Sequence, residues 1–161
     1  MDDFPNLKNP FHFLATLGGI GKIPLAPGTF GSIFSWLIFI FLSHFVNMFY
    51  VTFIGIFLSI WICEMASKNL IHKDHRSIVI DELIGIWIAL LPVLYLAETQ
   101  KERIVYAIAA LLFFRLFDIF KPFPVSYFDE NFKNGTGIVI DDLIAGVMAI
   151  IPSYIILTLL A

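Results

Sequence analysis

Two adjacent carboxylate pairs, Asp81-Glu82 and Asp141-Asp142, stand in nearly identical apolar settings. The first lies in Ile78-Val79-Ile80-Asp81-Glu82-Leu83-Ile84-Gly85. The second follows sixty residues later, in Ile138-Val139-Ile140-Asp141-Asp142-Leu143-Ile144-Ala145-Gly146. The correspondence continues through Ala89 and Ala149, then Pro92 and Pro152. A carboxylate in such surroundings costs several kcal/mol unless it is paired, protonated or bound to a cation. A chain that carries this cost twice, in one context, is expected to use the carboxylates together as one acidic, metal-binding site. Hard oxygen ligands near a phosphate suit Mg²⁺, which takes one or two carboxylates plus waters and phosphate oxygens. Neighbouring helical residues point about 100° apart, so one carboxylate of each pair faces the shared centre and the other approaches from the flank. Taken singly, each Asp also fits the simpler role of a helix N-terminal carboxylate favoured by the macrodipole.

Arg115, Asp118 and Lys121 follow at i, i+3 and i+6, broadly on one helix face. The two cations can contact phosphate while Asp118 binds metal or transfers a proton. The same spacing also makes a self-neutralising ladder. Pro27-Gly28-Thr29-Phe30-Gly31-Ser32 opens an apolar segment. Its free N–H groups suit an anion, with glycine permitting close backbone approach, or Thr29 is a plain N-cap. Asp74 and His75 fall in a surface loop, and Glu64 is a candidate further carboxylate. His12, His44 and His72 show no ligand spacing. The lone Cys63 excludes an intrachain disulfide and has no Arg six residues on, so it reads as a small buried hydrophobe.

The elements that must position these groups are apolar helices. The 161 residues are 59% hydrophobic and 14% charged, with a mean hydropathy of +0.88. Soluble domains carry about 25% charged residues, so the chain reads as a single integral membrane domain. A net charge of -3 argues against a nucleic-acid surface. The acidic start, Met1-Asp2-Asp3, is unlike a secretory signal. Residues 1–28 read as an N-terminal loop with a short interfacial helix from Phe11 to Leu17. Five apolar helices are expected at 29–46, 48–67, 78–97, 103–120 and 137–160, an all-α polytopic architecture. Asn47 makes the first two an antiparallel hairpin. Gly85, Ala145 and Gly146 permit close helix approach beside the carboxylates.

If each segment crosses once, the acidic pairs, Glu64, Arg115, Asp118 and Lys121 all gather at one side. Lys22, Lys68, Lys73, Arg76 and Lys133 lie on that side too. Lys101 and Arg103 lie opposite, offset by Glu98 and Glu102. The positive-inside rule then makes the charged side cytoplasmic.

Four stretches, in order, resemble the phosphatidylglycerophosphatase A family of bacteria. They are Ala26-Pro27-Gly28-Thr29-Phe30-Gly31-Ser32, the first acidic repeat, Arg115-Leu116-Phe117-Asp118-Ile119-Phe120-Lys121-Pro122-Phe123-Pro124, and Gly135-Thr136-Gly137 running into the second repeat. The resemblance covers most of the chain from about residue 18. It implies a Mg²⁺-dependent lipid phosphatase of the bacterial inner membrane that removes the terminal phosphate of phosphatidylglycerol phosphate in phospholipid biosynthesis. It carries over Thr29, Asp81, Glu82, Arg115, Asp118, Lys121, Asp141 and Asp142 as motif residues. Asp74 matches a recurrent upstream Asp. Asn134 departs from the family's usual Gly, which predicts a differently shaped loop there.

On this reading Asp81, Glu82, Asp141 and Asp142 hold Mg²⁺. Thr29, Arg115 and Lys121 bind the phosphate of the bilayer substrate, Asp118 transfers a proton, and water or an aspartate is the nucleophile. No oligomeric state is set. The rival reading is an ion- or proton-coupled transporter using intramembrane carboxylates. It requires charge near the midplane, whereas the far halves of the third and fifth segments carry none. A structural membrane subunit leaves the repeated acidic pairs unexplained.

Overall fold

Prolines, caps and polar side chains decide where the helices of this chain begin and end. The computed structural model describes residues 4–70, 73–132 and 134–160, and these are helical with no strand. His72 and Lys133 lie outside the described residues. Eight α-helices are described: α1 (Pro10–Ala15), α2 (Pro27–Leu42), α3 (Met48–Ala66), α4 (Ile80–Leu90), α5 (Val93–Leu96), α6 (Gln100–Phe120), α7 (Val125–Asn131) and α8 (Gly135–Leu160). A 3₁₀ turn at Ile20–Lys22 follows the short α1, which sits where an interfacial helix is expected.

The segment boundaries move for identifiable reasons. α2 begins at Pro27, not Thr29, because Pro27 supplies a pre-set first turn after a left-handed Ala26 (φ 51°). It ends at Leu42, where Ser43 Oγ donates to the Ile40 carbonyl at 2.8 Å and His44 Nδ1 lies 2.7 Å from the same oxygen. Asn47 caps α3 by accepting from the Phe49 N–H at 3.0 Å. α6 starts three residues before the expected 103 because Thr99 and Glu102 form a capping box.

The third expected helix is two helices. α4 stops just before Pro92 and α5 adds a single turn. Its counterpart Pro152 lies inside α8, which continues to Leu160. A proline removes one helical hydrogen bond in either place. After Pro92 the chain soon meets Glu98 and Thr99 and turns into the α6 cap, whereas the sequence after Pro152 stays apolar. α7 has no counterpart in the expected set, since its seven residues, VSYFDEN, lack a long apolar period.

α4 is the centre of the bundle. Nine of its eleven residues are buried, and α2, α3, α6 and α8 all pack on it. The consecutive helices α2 and α3 each lean on α4 more than on one another, so the expected hairpin packing is replaced by a shared wedge. α4 and α8 run parallel. A Cβ on Gly85 would lie 2.8 Å from the Asp142 carbonyl oxygen, and one on Gly146 would collide with the Gly85 carbonyl. These small residues, with buried Ala145, Ala89 and Ala149, let the two backbones meet beside the acidic pairs.

Polar side chains tie the bundle across helices. The Trp87 indole donates to the Ser35 carbonyl at 2.9 Å, the Trp36 indole to Ala107 at 2.8 Å, and the Tyr106 hydroxyl to Ala89 at 3.2 Å. Outward faces are strongly apolar. Phe53, Phe57 and Trp61 stand exposed one turn apart along α3. α3 and α8 are each long and apolar enough to cross a membrane, and α2 is apolar but shorter. Contiguous exposed apolar surface of this kind marks a membrane protein.

Candidate active site

Four segments bring charge to one cavity of about 310 Å³, and a fifth closes it. α4 opens on Asp81 and Glu82, and α8 carries Asp141 and Asp142 two turns from its start. The end of α6 supplies Arg115 and Asp118, with Lys121 as its C-cap. The loop before α4 adds Asp74 and Arg76, and the start of α2 closes one wall with Ala26, Pro27 and Gly28. Six carboxyl groups thus line the cavity against three cations.

The parallel register of α4 and α8 sets the first repeat against the second. Asp81, Glu82 and Asp142 each offer one oxygen within 4.8 Å of the others, and all three residues are buried. Asp81 Oδ1 and Glu82 Oε2 have no hydrogen-bond partner among the described residues. Asp141 points elsewhere, as the angular offset between neighbouring helical residues requires. Its Oδ2 accepts from Lys121 Nζ at 2.7 Å, while its buried Oδ1 has no partner among the described residues. The four expected carboxylates therefore divide into a cluster of three and one that faces a lysine.

Arg115 is held from four directions. Its guanidinium donates to Ser32 Oγ at 3.3 Å and Thr29 Oγ1 at 3.4 Å, lies 3.8 Å from Glu82 Oε1, and pairs with Asp118. Ser32 Oγ in turn donates to the Gly28 carbonyl at 2.8 Å. A Cβ at Gly28 would collide with Glu82 Oε1 and crowd the guanidinium, so the glycine leaves room for the pair. Thr29 is therefore neither an N-cap nor a lining group of the cavity. It sits behind Arg115 and orients it.

Lys121 bridges Asp141 and Asp129, donating to the latter at 2.6 Å. Burial alone would lower its pKa, but the two carboxylates outweigh burial and hold it above the ordinary lysine range. Lys121 adopts a left-handed conformation (φ 42°), a departure that costs a non-glycine residue about 1 kcal/mol. That cap turns the chain into α7, which delivers Asp129. The sequence motif contained Lys121 but not this partner. The signal available was an acidic residue eight positions on, in a polar stretch after Pro122 and Pro124.

Glu64 does not join the acidic cluster. Its Oε2 accepts from the Gly135 N–H at 2.7 Å and its Oε1 from Lys73 at 3.2 Å, so it caps the start of α8. Asn134, the departure from the family pattern, also caps α8 by accepting from the Gly137 N–H at 2.9 Å. Asp74 is exposed at the cavity edge. Arg76 lines the cavity as well, and Ser32 holds Arg115. Neither was singled out from sequence as a site residue. Cys63 is fully buried, as expected of a small hydrophobe.

The donor set fits a hard divalent cation. It is all carboxylate, it converges, and it leaves buried oxygens without partners that such an ion would satisfy. The net excess of carboxyl groups would otherwise repel a phosphate.

A family model described as phosphatidylglycerophosphatase A matches residues 13–157. A protein of Escherichia coli (strain K12) named phosphatidylglycerophosphatase A is 37% identical over 146 residues, covering 89% of this chain and 81% of that protein. One of Haemophilus influenzae with the same name is 38% identical over 152 residues, covering 92% and 90%. A Bacteroides thetaiotaomicron protein, provisionally named a phosphatidylinositol-3-phosphatase, is 34% identical over 155 residues, covering 90% and 94%. No solved structure matches the chain.

Proposed function

The chain belongs to the phosphatidylglycerophosphatase A family, and from that premise we propose that it hydrolyses the terminal phosphomonoester of phosphatidylglycerol phosphate, yielding phosphatidylglycerol and inorganic phosphate. It is a membrane enzyme of the phosphatase class. The observation that carries the substrate reading is the cavity itself: a convergent carboxylate cluster beside an anchored guanidinium and a lysine.

Asp81, Glu82 and Asp142 would hold Mg²⁺, with Asp141 adjacent. When bound, Mg²⁺ neutralises phosphate charge and makes a bound water a stronger nucleophile. Arg115 presents a planar guanidinium to two phosphate oxygens, and Lys121 adds a point charge. Thr29 and Ser32 keep the Arg115 plane fixed, so little reorganisation accompanies charge development in the transition state. Asp118, on the cavity wall, accepts the proton of the attacking water and returns one to the leaving glycerol oxygen. The acyl chains stay against the apolar outer faces while the headgroup enters.

Phosphate release by purified protein in mixed micelles tests this reading. Chelator is expected to abolish release and added Mg²⁺ to restore it. Undiminished turnover without divalent cation would refute the role of the cluster. No observation favours the transporter reading, whose midplane charge is missing because the carboxylates crowd one end of α4 and α8.

The site is further proposed to face the cytoplasm in a multi-pass arrangement. Lys22, Lys68, Lys73 and Arg76 support this orientation. A cysteine placed at Lys73 is expected to label from the cytoplasm and one at Lys101 from outside. Labelling of both from one face would contradict the orientation.

A further inference from the structure

Among the described residues, Arg76 is the cation of the cavity that no carboxylate engages. Lys121 is shared by Asp129 and Asp141, and Arg115 by Glu82 and Asp118. Among the described residues Arg76 has neither an ion pair nor a side-chain hydrogen bond, yet it lines the same cavity and stays exposed at its mouth.

Its backbone is not free to drift. The Ser77 N–H donates to His75 Nδ1 at 3.1 Å, the Ile78 N–H to the His75 carbonyl at 2.7 Å, and the Val79 N–H to the Ala15 carbonyl at 2.9 Å. Ser77, Ile78 and Val79 are buried, and the Phe4 ring meets His75 edge-on at 4.9 Å. Partial burial and the adjacent Arg76 lower the His75 pKa, with Asp74 acting against them, which favours the neutral ring that accepts at Nδ1. A pinned backbone thus presents one long, uncommitted guanidinium over the acidic cavity.

The proposed substrate carries two phosphates. Hydrolysis consumes the terminal monoester and leaves the diester intact. The diester anion must enter a mouth whose cavity is lined by six carboxyl groups, and it needs a cation that the chemistry does not already occupy. A guanidinium can bridge two oxygens of such a group. Resting on the reaction proposed above, we infer that Arg76 binds the diester phosphate, and so makes the enzyme select glycerophospholipids that carry a second phosphate.

The test is the kinetics of Arg76→Gln and Arg76→Lys in mixed micelles. R76Q is expected to raise KM for phosphatidylglycerol phosphate about tenfold, as loss of a charge-assisted contact does, with kcat nearly kept. R76K should recover part of the loss. Competitive inhibition by phosphatidylglycerol, which keeps only the diester, should weaken by the same factor. Inhibition by inorganic phosphate should not change. Unaltered KM and product inhibition in R76Q, with an active wild type, would overturn the role of Arg76 alone. A fall in kcat with weaker inhibition by inorganic phosphate would move Arg76 to the scissile phosphate and also overturn it. A wild type that releases no phosphate from this lipid would overturn the reaction and the inference together.

Discussion

Asp142→Asn is expected to lower kcat by about a thousandfold while the protein remains folded. Asp142 is the member of the second repeat that stands with Asp81 and Glu82, each offering an oxygen within 4.8 Å of the others. The substitution keeps the shape of the side chain and removes its charge. Three buried carboxyl groups at such range repel one another when ionised, so stability without metal should hold or rise. Phosphate release and a thermal melt in detergent measure the two halves of the expectation. A variant that keeps a large share of activity with its Mg²⁺ dependence unchanged would remove Asp142 from the cation-holding cluster. Asp141→Asn is expected to cost less, because Asp141 faces Lys121 and Lys121 keeps Asp129.

Arg115→Lys should cost about a hundredfold in kcat although it conserves charge. The guanidinium spans Thr29, Ser32, Glu82 and Asp118 at once, a fork that an ammonium on a flexible stem cannot reproduce. Its buried Nε has no partner among the described residues, so the planar group is placed for its outer nitrogens. Retention of more than half the activity by the lysine variant, assayed at saturating substrate, would show that charge alone is needed there.

The acidic repeat was legible because carboxylates inside apolar runs are costly and their duplication is visible without a structure. Close approach at Gly85, Ala145 and Gly146 was legible from residue size. So was the gathering of Asp81, Glu82, Asp118, Asp141 and Asp142 around one cavity, because segment direction alone decides which ends meet. The division of the cluster was not. Whether Asp141 or Asp142 faces Asp81 depends on the rotation of α8, which the Gly85–Gly146 crossing fixes. Thr29 read either as a cap or as a phosphate-binding group, but Pro27 took the first helical position and the Thr29 hydroxyl meets Arg115. Glu64 was only a candidate further carboxylate, because one that caps a distant helix is indistinguishable in sequence from one that faces a site. Asp129 was missed because its role depends on the turn after Lys121. Pro92 and Pro152 show the same limit, since one ends a helix and the other does not.

The central claim is that the two repeats build one cation-holding cluster. The most direct measurement is a calorimetric titration of Mg²⁺ into the wild type, Asp81→Asn, Asp142→Asn and the double variant, all as purified protein in detergent. One shared cluster predicts that each single substitution weakens binding by a similar large factor, and that the double variant is scarcely worse than either, because members of one unit are not additive. Wild-type affinity in either single variant, or losses that simply add in the double, would show that the repeats do not share a site.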